Sequence, residues 1–285
     1  MSAAGGVSNA AGRAVAMGAA AVQVFVDRNR RYPRSELPFD ELDRLGVLLA
    51  RHGLPGYVHV PYLANVATAD ALLRSRSIEM VARALRASAR AGLRAVVVHP
   101  GSHQGRGFAA VREQVVLALG ESWRLAAARV PLLIENMAGG GGILGASASE
   151  LRSLVTALRE AGVDAGLCLD TAHAHGAGWD LSRASGVRRF ADEWRDAGLL
   201  ADVRLVHAND SRAPAGSRRD LHANPGEGAI GARGLRLLAE IDELRRVPWI
   251  LEVPGERRSG PRDVDVRRLR QIVARARVGA ASPTS

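Results

Sequence analysis

Lysine is absent from this chain: all 39 basic residues are arginine. Against 29 acidic residues they leave a formal net charge of +10. Positive charge attracts phosphates and speeds their encounter with a surface. The uniform choice of arginine reads as a compositional bias, however, and so favours a polyanion partner only weakly. Cysteine is nearly absent too. Cys168 stands alone, which excludes a disulfide scaffold and points to a reducing compartment; in its apolar strand it is expected to be buried and inert. No apolar run reaches the roughly 18 residues that a membrane span requires. The N-terminus, MSAAGGVSNAAGRAVAMG, has no basic start followed by an apolar block, so no export signal is read. A soluble cytoplasmic protein is expected.

The chain does have length and grease: 285 residues, 47% of them hydrophobic. That is too apolar for general disorder and sufficient for a substantial core. No Pro- or Ser-rich linker divides it, so one domain is expected over residues 1–275, with a frayed tail at residues 276–285. Short β-rich runs alternate with longer helical stretches. The runs cover residues 21–26 (AVQVFV), 57–60 (YVHV), 94–99 (RAVVVH), 131–135 (PLLIE), 165–170 (AGLCLD), 203–207 (VRLVH) and 248–252 (PWILE). Each is apolar on both faces, as buried parallel strands are. Between them lie amphipathic stretches such as residues 77–93, where Ile78, Val81, Ala82, Leu85 and Ala89 recur at helical spacing. Gly53, Gly92 and Gly162 follow such patterns, where a left-handed stop is wanted.

Alternation of this length implies a doubly wound sheet or a TIM-type (β/α)8 barrel. A closed barrel wants eight strands and seven are read here. The chain opens on a helical pattern at residues 8–21, so the expectation is a barrel lacking its first strand in this sequence, with Met1 standing at an internal position of a longer reading frame. Such a remnant would leave two strand edges unpaired.

Six of the seven runs end in, or near, a metal-binding side chain: His59, His99, Glu135, Asp170, His207 and Glu252. In a barrel the C-terminal strand ends face one rim, where active sites are built. One histidine at a strand end is more often a hydrogen-bonded structural residue than a ligand. Six polar groups at equivalent positions are harder to account for, because each would be desolvated without a partner, and divalent cations would supply one. His173, three residues beyond Asp170, and the pair Asp220 and His222, on alternate positions of an extended loop, bring the set to five His, two Asp and two Glu. Imidazole with carboxylate suits zinc, or manganese or iron with less preference. Nine groups exceed what one ion takes and fit three if a carboxylate bridges two.

His99-Pro100-Gly101-Ser102-His103, Ile134-Glu135-Asn136, Asp170-Thr171-Ala172-His173, His207-Ala208-Asn209-Asp210 and Asp220-Leu221-His222 resemble, in that order, the motifs of the endonuclease IV family. Gly226-Glu227-Gly228 and Ile250-Leu251-Glu252 continue the match. The resemblance implies a zinc-dependent apurinic/apyrimidinic endonuclease of base-excision repair, acting as a monomer on double-stranded DNA. It implies three Zn2+ ions, with Mn2+ or Fe2+ an option at one site. His59 and His99 would hold the first, Glu135 would bridge to the second, Asp170, His207 and Glu252 would complete the second, and His173, Asp220 and His222 would hold the third. Cleavage 5′ of the abasic site would leave a 3′-hydroxyl and a 5′-deoxyribose phosphate. Glu135 and Glu252 would be the catalytic carboxylates, with Glu252 either orienting or deprotonating the attacking water or serving only as a ligand.

An abasic nucleotide has no base edge to read, so recognition is expected to rest on extrusion and on filling the gap. Tyr62 and Leu63, in His59-Val60-Pro61-Tyr62-Leu63, resemble the family's inserting pair, against the alternative that they cap the core. Arg30 is the best match for an inserting arginine, in a loop that departs from the family pattern at Asp27. Arg212, Arg218 and Arg219 are read either as phosphate contacts or as a solvated loop face. Residues 138–142 (AGGGG) lack the Gly-Lys-Ser/Thr of a P-loop and are read as a rim loop. His52 is placed at a helix end, and His103 and His175 near the ligands or at the surface. The competing functions are a single-metal sugar isomerase or epimerase of a similar barrel, drawn from Glu135, Asp170, His207 and Glu252, and a catalytically dead binder of DNA damage. The first leaves five ligands without a purpose.

Overall fold

The computed structural model describes residues 4–27, 31–33, 35–255 and 260–279. By backbone contacts the chain falls into two compact units, Met1–Glu135 with Gly141–Gly145 and Glu150–Leu167, and Asn136–Gly140 with Ala146–Ser149 and Cys168–Ser285.

In the first unit strands alternate with helices in the order α1 (Asn9–Ala16), β1 (Val22–Val24), α2 (Phe39–Arg51), β2 (Gly56–His59), α3 (Ala71–Arg90), β3 (Ala95–Val98), α4 (Phe108–Ala126), β4 (Leu132–Glu135) and α5 (Ala148–Glu160), before the chain enters β5 (Ala165–Asp170). Among the described residues no strand precedes α1. Pairing is parallel throughout, with Tyr57 opposite Ala95 and Val96 opposite Leu132. Every residue of β1 to β4 is buried, as runs apolar on both faces require. The helices cover the strands with one stripe each: Leu42, Leu45 and Leu49 of α2 are buried at i, i+3, i+7. Full burial of a leucine contributes about 1.5–3 kcal/mol, so such a stripe outweighs the modest intrinsic preference of the helix. Asp70 caps α3 by accepting the Leu73 N–H at 3.0 Å. Gly53, Gly92 and Gly162 stop their helices with φ of 61°, 61° and 82°, as their positions in the sequence predict. His52 is the C-cap of α2.

Beside β1, Asp27 accepts two hydrogen bonds from Arg83 of α3, from Nε at 3.1 Å and Nη2 at 2.9 Å. An acidic residue at this position, unexpected from the family pattern, therefore has a local partner.

The second unit takes up the end of β5, then α6 (Thr171–Ala177), α7 (Ala184–Asp196), β6 (Val203–His207), a two-stranded antiparallel ribbon of β7 (Asp210–Ser211) and β8 (His222–Ala223), α8 (Gly231–Ala239), α9 (Asp242–Arg245), β9 (Trp249–Ile250) and α10 (Asp263–Gly279). β6 lies between β5 and β9 and pairs with β9 in parallel, His207 opposite Ile250. Trp179, Phe190 and Trp194 form an aromatic cluster under α7, with Phe190 and Trp194 ring centroids 4.8 Å apart.

Among the ends that differ from the sequence reading are those of β9 and α10. β9 ends at Ile250, not at residue 252, because the Glu252 N–H is taken by the Asn209 side chain at 2.8 Å and not by a neighbouring strand. α10 continues to Gly279 with Ala276 buried, past the expected start of a tail at residue 276. The ribbon of β7 and β8 is too short to leave a periodic signal. All seven expected runs do contain strands, Cys168 is buried within β5, and no described helix is long and apolar enough to cross a membrane.

Candidate metal centre

In the first unit the fully buried carboxylate of Glu135, the last residue of β4, faces two imidazoles. His59 Nε2 lies 2.8 Å from Glu135 Oε2, and His99 Nε2 lies 3.1 Å from the same oxygen. The two rings meet edge to face with centroids 4.9 Å apart. His59 Nδ1 is 2.7 Å from the Val60 carbonyl oxygen. A carbonyl only accepts, so Nδ1 carries a proton and, in the neutral ring, Nε2 presents its lone pair. That lone pair then points at a carboxylate oxygen, acceptor against acceptor, and needs a proton or a cation between them.

The second unit repeats this arrangement. Asp170 ends β5 and caps α6: its Oδ1 accepts the His173 N–H at 2.7 Å. An N-cap side chain reaches the N–H three residues on, so the Asp170-Thr171-Ala172-His173 spacing brings both side chains to one turn. His173 Nδ1 donates to the Asn136 carbonyl at 2.9 Å, and His222 Nδ1 to the Glu252 carbonyl at 3.0 Å. Their Nε2 atoms lie 3.3 and 3.1 Å from Asp220 Oδ1. Donors about 2.0 Å from a tetrahedral zinc are about 3.3 Å apart, so these spacings suit one ion. His207 offers the other ring nitrogen, with Nδ1 3.1 Å from Glu252 Oε2.

Asp170 stands between these groups, its Oδ2 being 3.5 Å from His222 Nε2 and 4.0 Å from His207 Nδ1. Asp170, His173 and His222 each offer a donor atom within 4.8 Å of the others. The sequence reading gave Asp170 to the ion of His207 and Glu252; the geometry sets it at least as close to His173 and His222. Electrostatics match. Burial works against a charged His222, but Asp170 and then Asp220 outweigh it and raise its pKa to about 9. Asp220 keeps 47% of its side chain exposed. Its partial burial tends to raise its pKa, yet hydrogen bonds with His173 and His222 prevail and hold it well below the usual carboxylate range.

The other histidines differ in kind. His103 Nδ1 accepts the N–H groups of Gly105 and Gly107, each at 3.1 Å, and so closes a loop. His175 Nδ1 accepts the Leu181 N–H at 3.2 Å, which puts the proton on its buried Nε2. Neither presents a lone pair to a carboxylate.

Of the residues expected to touch DNA, Tyr62 is 60% exposed, outside the buried core, with its ring edge-on to His99 at a centroid distance of 5.3 Å. Leu63 is half-buried, and Arg30 lies outside the described residues. Arg212, Arg218 and Arg219 are exposed.

Asn136, Asn209 and Asp210, polar residues of the quoted motifs, received no role from the sequence. Asn136 brackets the Asp170 backbone, accepting its N–H at 2.7 Å and donating to its carbonyl at 3.0 Å. Asn209 touches the Asp170 carboxylate at 2.6 Å. Asp210, fully buried, accepts the backbone N–H groups of Gly226, Gly228, Ile230 and Gly231 at 2.9–3.2 Å. A Cβ at residue 228 would stand 2.5 Å from the Asp210 carboxylate, which explains that glycine.

A family model, the xylose isomerase-like TIM barrel, matches residues 11–274. A probable endonuclease 4 of Oleidesulfovibrio alaskensis is 40% identical over 258 residues, covering 89% of this chain and 87% of its own. One from Nitratidesulfovibrio vulgaris (strain Hildenborough) is 36% identical over 90% of this chain and 91% of its own. The crystal structure of endonuclease IV from Thermus thermophilus superposes with a TM-score of 0.82 at 34% identity, covering 96% of this chain and 97% of that one. The chain belongs to the endonuclease IV family of xylose isomerase-like TIM barrels.

Proposed function

We propose that this protein is a zinc-dependent DNA-repair endonuclease that cleaves the backbone 5′ of abasic sites, leaving a 3′-hydroxyl and a 5′-deoxyribose phosphate. The observation that carries the reading is the shared ring orientation of His59, His173 and His222. Each gives its Nδ1 proton to a backbone carbonyl and turns Nε2 toward a carboxylate. Metal-ligating histidines are held this way, the outer hydrogen bond fixing the tautomer and raising ligand basicity. Three ions would be held by His59, His99, Glu135, Asp170, His173, His207, Asp220, His222 and Glu252, zinc being the first choice for the donor set and Mn2+ or Fe2+ an option at one site. When bound, they supply a water of lowered pKa and neutralise charge developing on the phosphate.

The protein's own groups divide the remaining work. Glu135 has no exposed surface and two imidazoles on one oxygen, which suits a fixed bridging ligand. Glu252 keeps 20% of its side chain exposed, which suits a carboxylate that also orients or deprotonates water. Tyr62 and Leu63, with Arg30, fill the gap left by the extruded nucleotide. The protein works as a monomer, in the cytoplasm, on double-stranded DNA, its net charge of +10 aiding encounter. Incision of a duplex carrying one tetrahydrofuran residue, beside an undamaged duplex, tests the reading. Cleavage 5′ of the lesion with about three metal ions per chain is expected; no cleavage by metal-loaded protein, or one ion per chain, would overturn it.

A further inference from the structure

We infer that Asn209 is a positioning residue that sets two of the proposed metal ligands, Asp170 and Glu252, through one buried amide. The inference rests on the metal reading above. Asn209 has no exposed surface. Its Oδ1 accepts the Glu252 N–H at 2.8 Å, and its Nδ2 donates to Asp170 Oδ2 at 2.6 Å. The two contacts fix the amide orientation, because its oxygen must face the N–H and its nitrogen the carboxylate. The backbone of Asn209 is pinned as well. Its N–H donates to Thr171 Oγ1 at 3.0 Å, and the Thr171 hydroxyl donates back to the Asn209 carbonyl at 2.6 Å.

Each end of the amide has a separate consequence. Asp170 is anchored at its backbone by Asn136 and at Oδ1 by the His173 N–H. Asn209 takes one lone pair of Oδ2 and leaves the other available to a cation beside His222 and His207, the imidazoles 3.5 and 4.0 Å away. Without that donor the His173 N–H on Oδ1 alone holds the carboxylate, and Oδ2 loses the contact that fixes its direction. At the other end, the Glu252 N–H would be a strand donor if β9 continued. Asn209 intercepts it, ends the strand at Ile250 and directs Glu252 Oε2 to 3.1 Å from His207 Nδ1. Only an amide of this length serves both ends. Aspartate would set a second anion against Asp170, leucine would strand a buried N–H, and glutamine would overreach.

The experiment uses the full chain with Asn209→Ala and, as a milder change, Asn209→Ser. Zinc affinity is read by competition with a chromophoric chelator, ligand geometry by the visible absorption of the cobalt(II)-substituted protein, and the fold by the melting temperature of the metal-free protein. The expected result is metal-free folding, at least a tenfold loss of affinity for one or more ions, an altered cobalt spectrum, and a kcat that falls more than KM rises. Parental affinity with an unchanged spectrum overturns the inference. So does failure of both variants to fold, which marks a scaffold residue. If the parent chain itself takes up no zinc, the metal reading has failed and the inference falls with it; if only the variants match the parent, the metal reading stands and Asn209 alone is misassigned.

Discussion

The carboxylate of Asp170 accepts the backbone N–H of His173 at 2.7 Å, so one side chain both starts helix α6 and belongs to the candidate metal centre. The two roles separate by substitution. Asn is about as good an N-cap as Asp but carries no charge. Asp170→Asn is expected to keep the α6 cap but to set its amide nitrogen against the Asn209 Nδ2, lowering the melting temperature of the metal-free protein moderately, while metal content falls and incision drops at least about 100-fold. Elemental analysis beside a single-turnover assay checks this, and full metal content in the variant would remove Asp170 from the centre.

Arg83 and Asp27 are expected to matter for stability alone. Their side chains are 11% and 6% exposed and pair through two hydrogen bonds. Removing one partner leaves the other charge in a poorly solvated place, so Arg83→Ala is expected to cost about 3 kcal/mol. Replacing both should cost less than the sum of the single changes, a double-mutant cycle in urea being the measurement. Zinc uptake by the folded fraction should not change.

Asp265 gives a pH signature that rests on its own pairing with Arg262. It is 1% exposed at the start of α10, and burial tends to raise its pKa. Hydrogen bonds from the Arg262 N–H at 2.9 Å and from its guanidinium at 3.0 and 3.1 Å outweigh that and leave the pKa below the ordinary aspartate value. A carboxyl depressed in the folded state contributes stability that is complete above its unfolded pKa, about 3.9, and is lost as pH falls through the folded one. Asp265→Asn should therefore be destabilised at pH 6, with the difference from the parent shrinking below about pH 4. Urea unfolding at both values measures it; a gap that stays constant would refute the ionic account.

Chelation is expected to lower the melting temperature reversibly. A ligand that binds only the folded chain stabilises it by about 2.7 kcal/mol at one hundred times its Kd. EDTA-treated protein should melt lower and recover when zinc is restored, whereas magnesium should not restore it because the donor set is rich in imidazole.

Tyr62 is exposed among the described members of the expected DNA-gripping set. Being 60% exposed, it should tolerate Tyr62→Ala with a stability change within about 0.5 kcal/mol. Affinity for an abasic duplex should fall with it, and further in the triple change of Arg30, Tyr62 and Leu63 to Ala. Unchanged affinity in the triple variant would reject insertion.

The strands were legible because each run is apolar on both faces, and the candidate ligands because a histidine or carboxylate ends so many of those runs. Asp170 and His173 were legible as a pair through their spacing, but not the grouping of Asp170 with His222, since that depends on a two-residue ribbon with no periodicity. Asn136 and Asn209 follow the candidate ligands Glu135 and His207 closely and still went without a role, because a buried asparagine looks in sequence like any loop asparagine. Asp210 was hidden for a related reason: its partners are main-chain N–H groups, which every residue but proline carries. The run of α10 to Gly279 was not legible, because Arg- and Ala-rich sequence does not announce that Ala276 is buried.

The carbonyls that receive the imidazole protons of His59, His173 and His222 belong to Val60, Asn136 and Glu252. A main-chain oxygen is indifferent to the side chain beside it. Ring aim in this constellation therefore tolerates drift at neighbouring positions, and inherited variation can reshape the walls around the imidazoles without turning them.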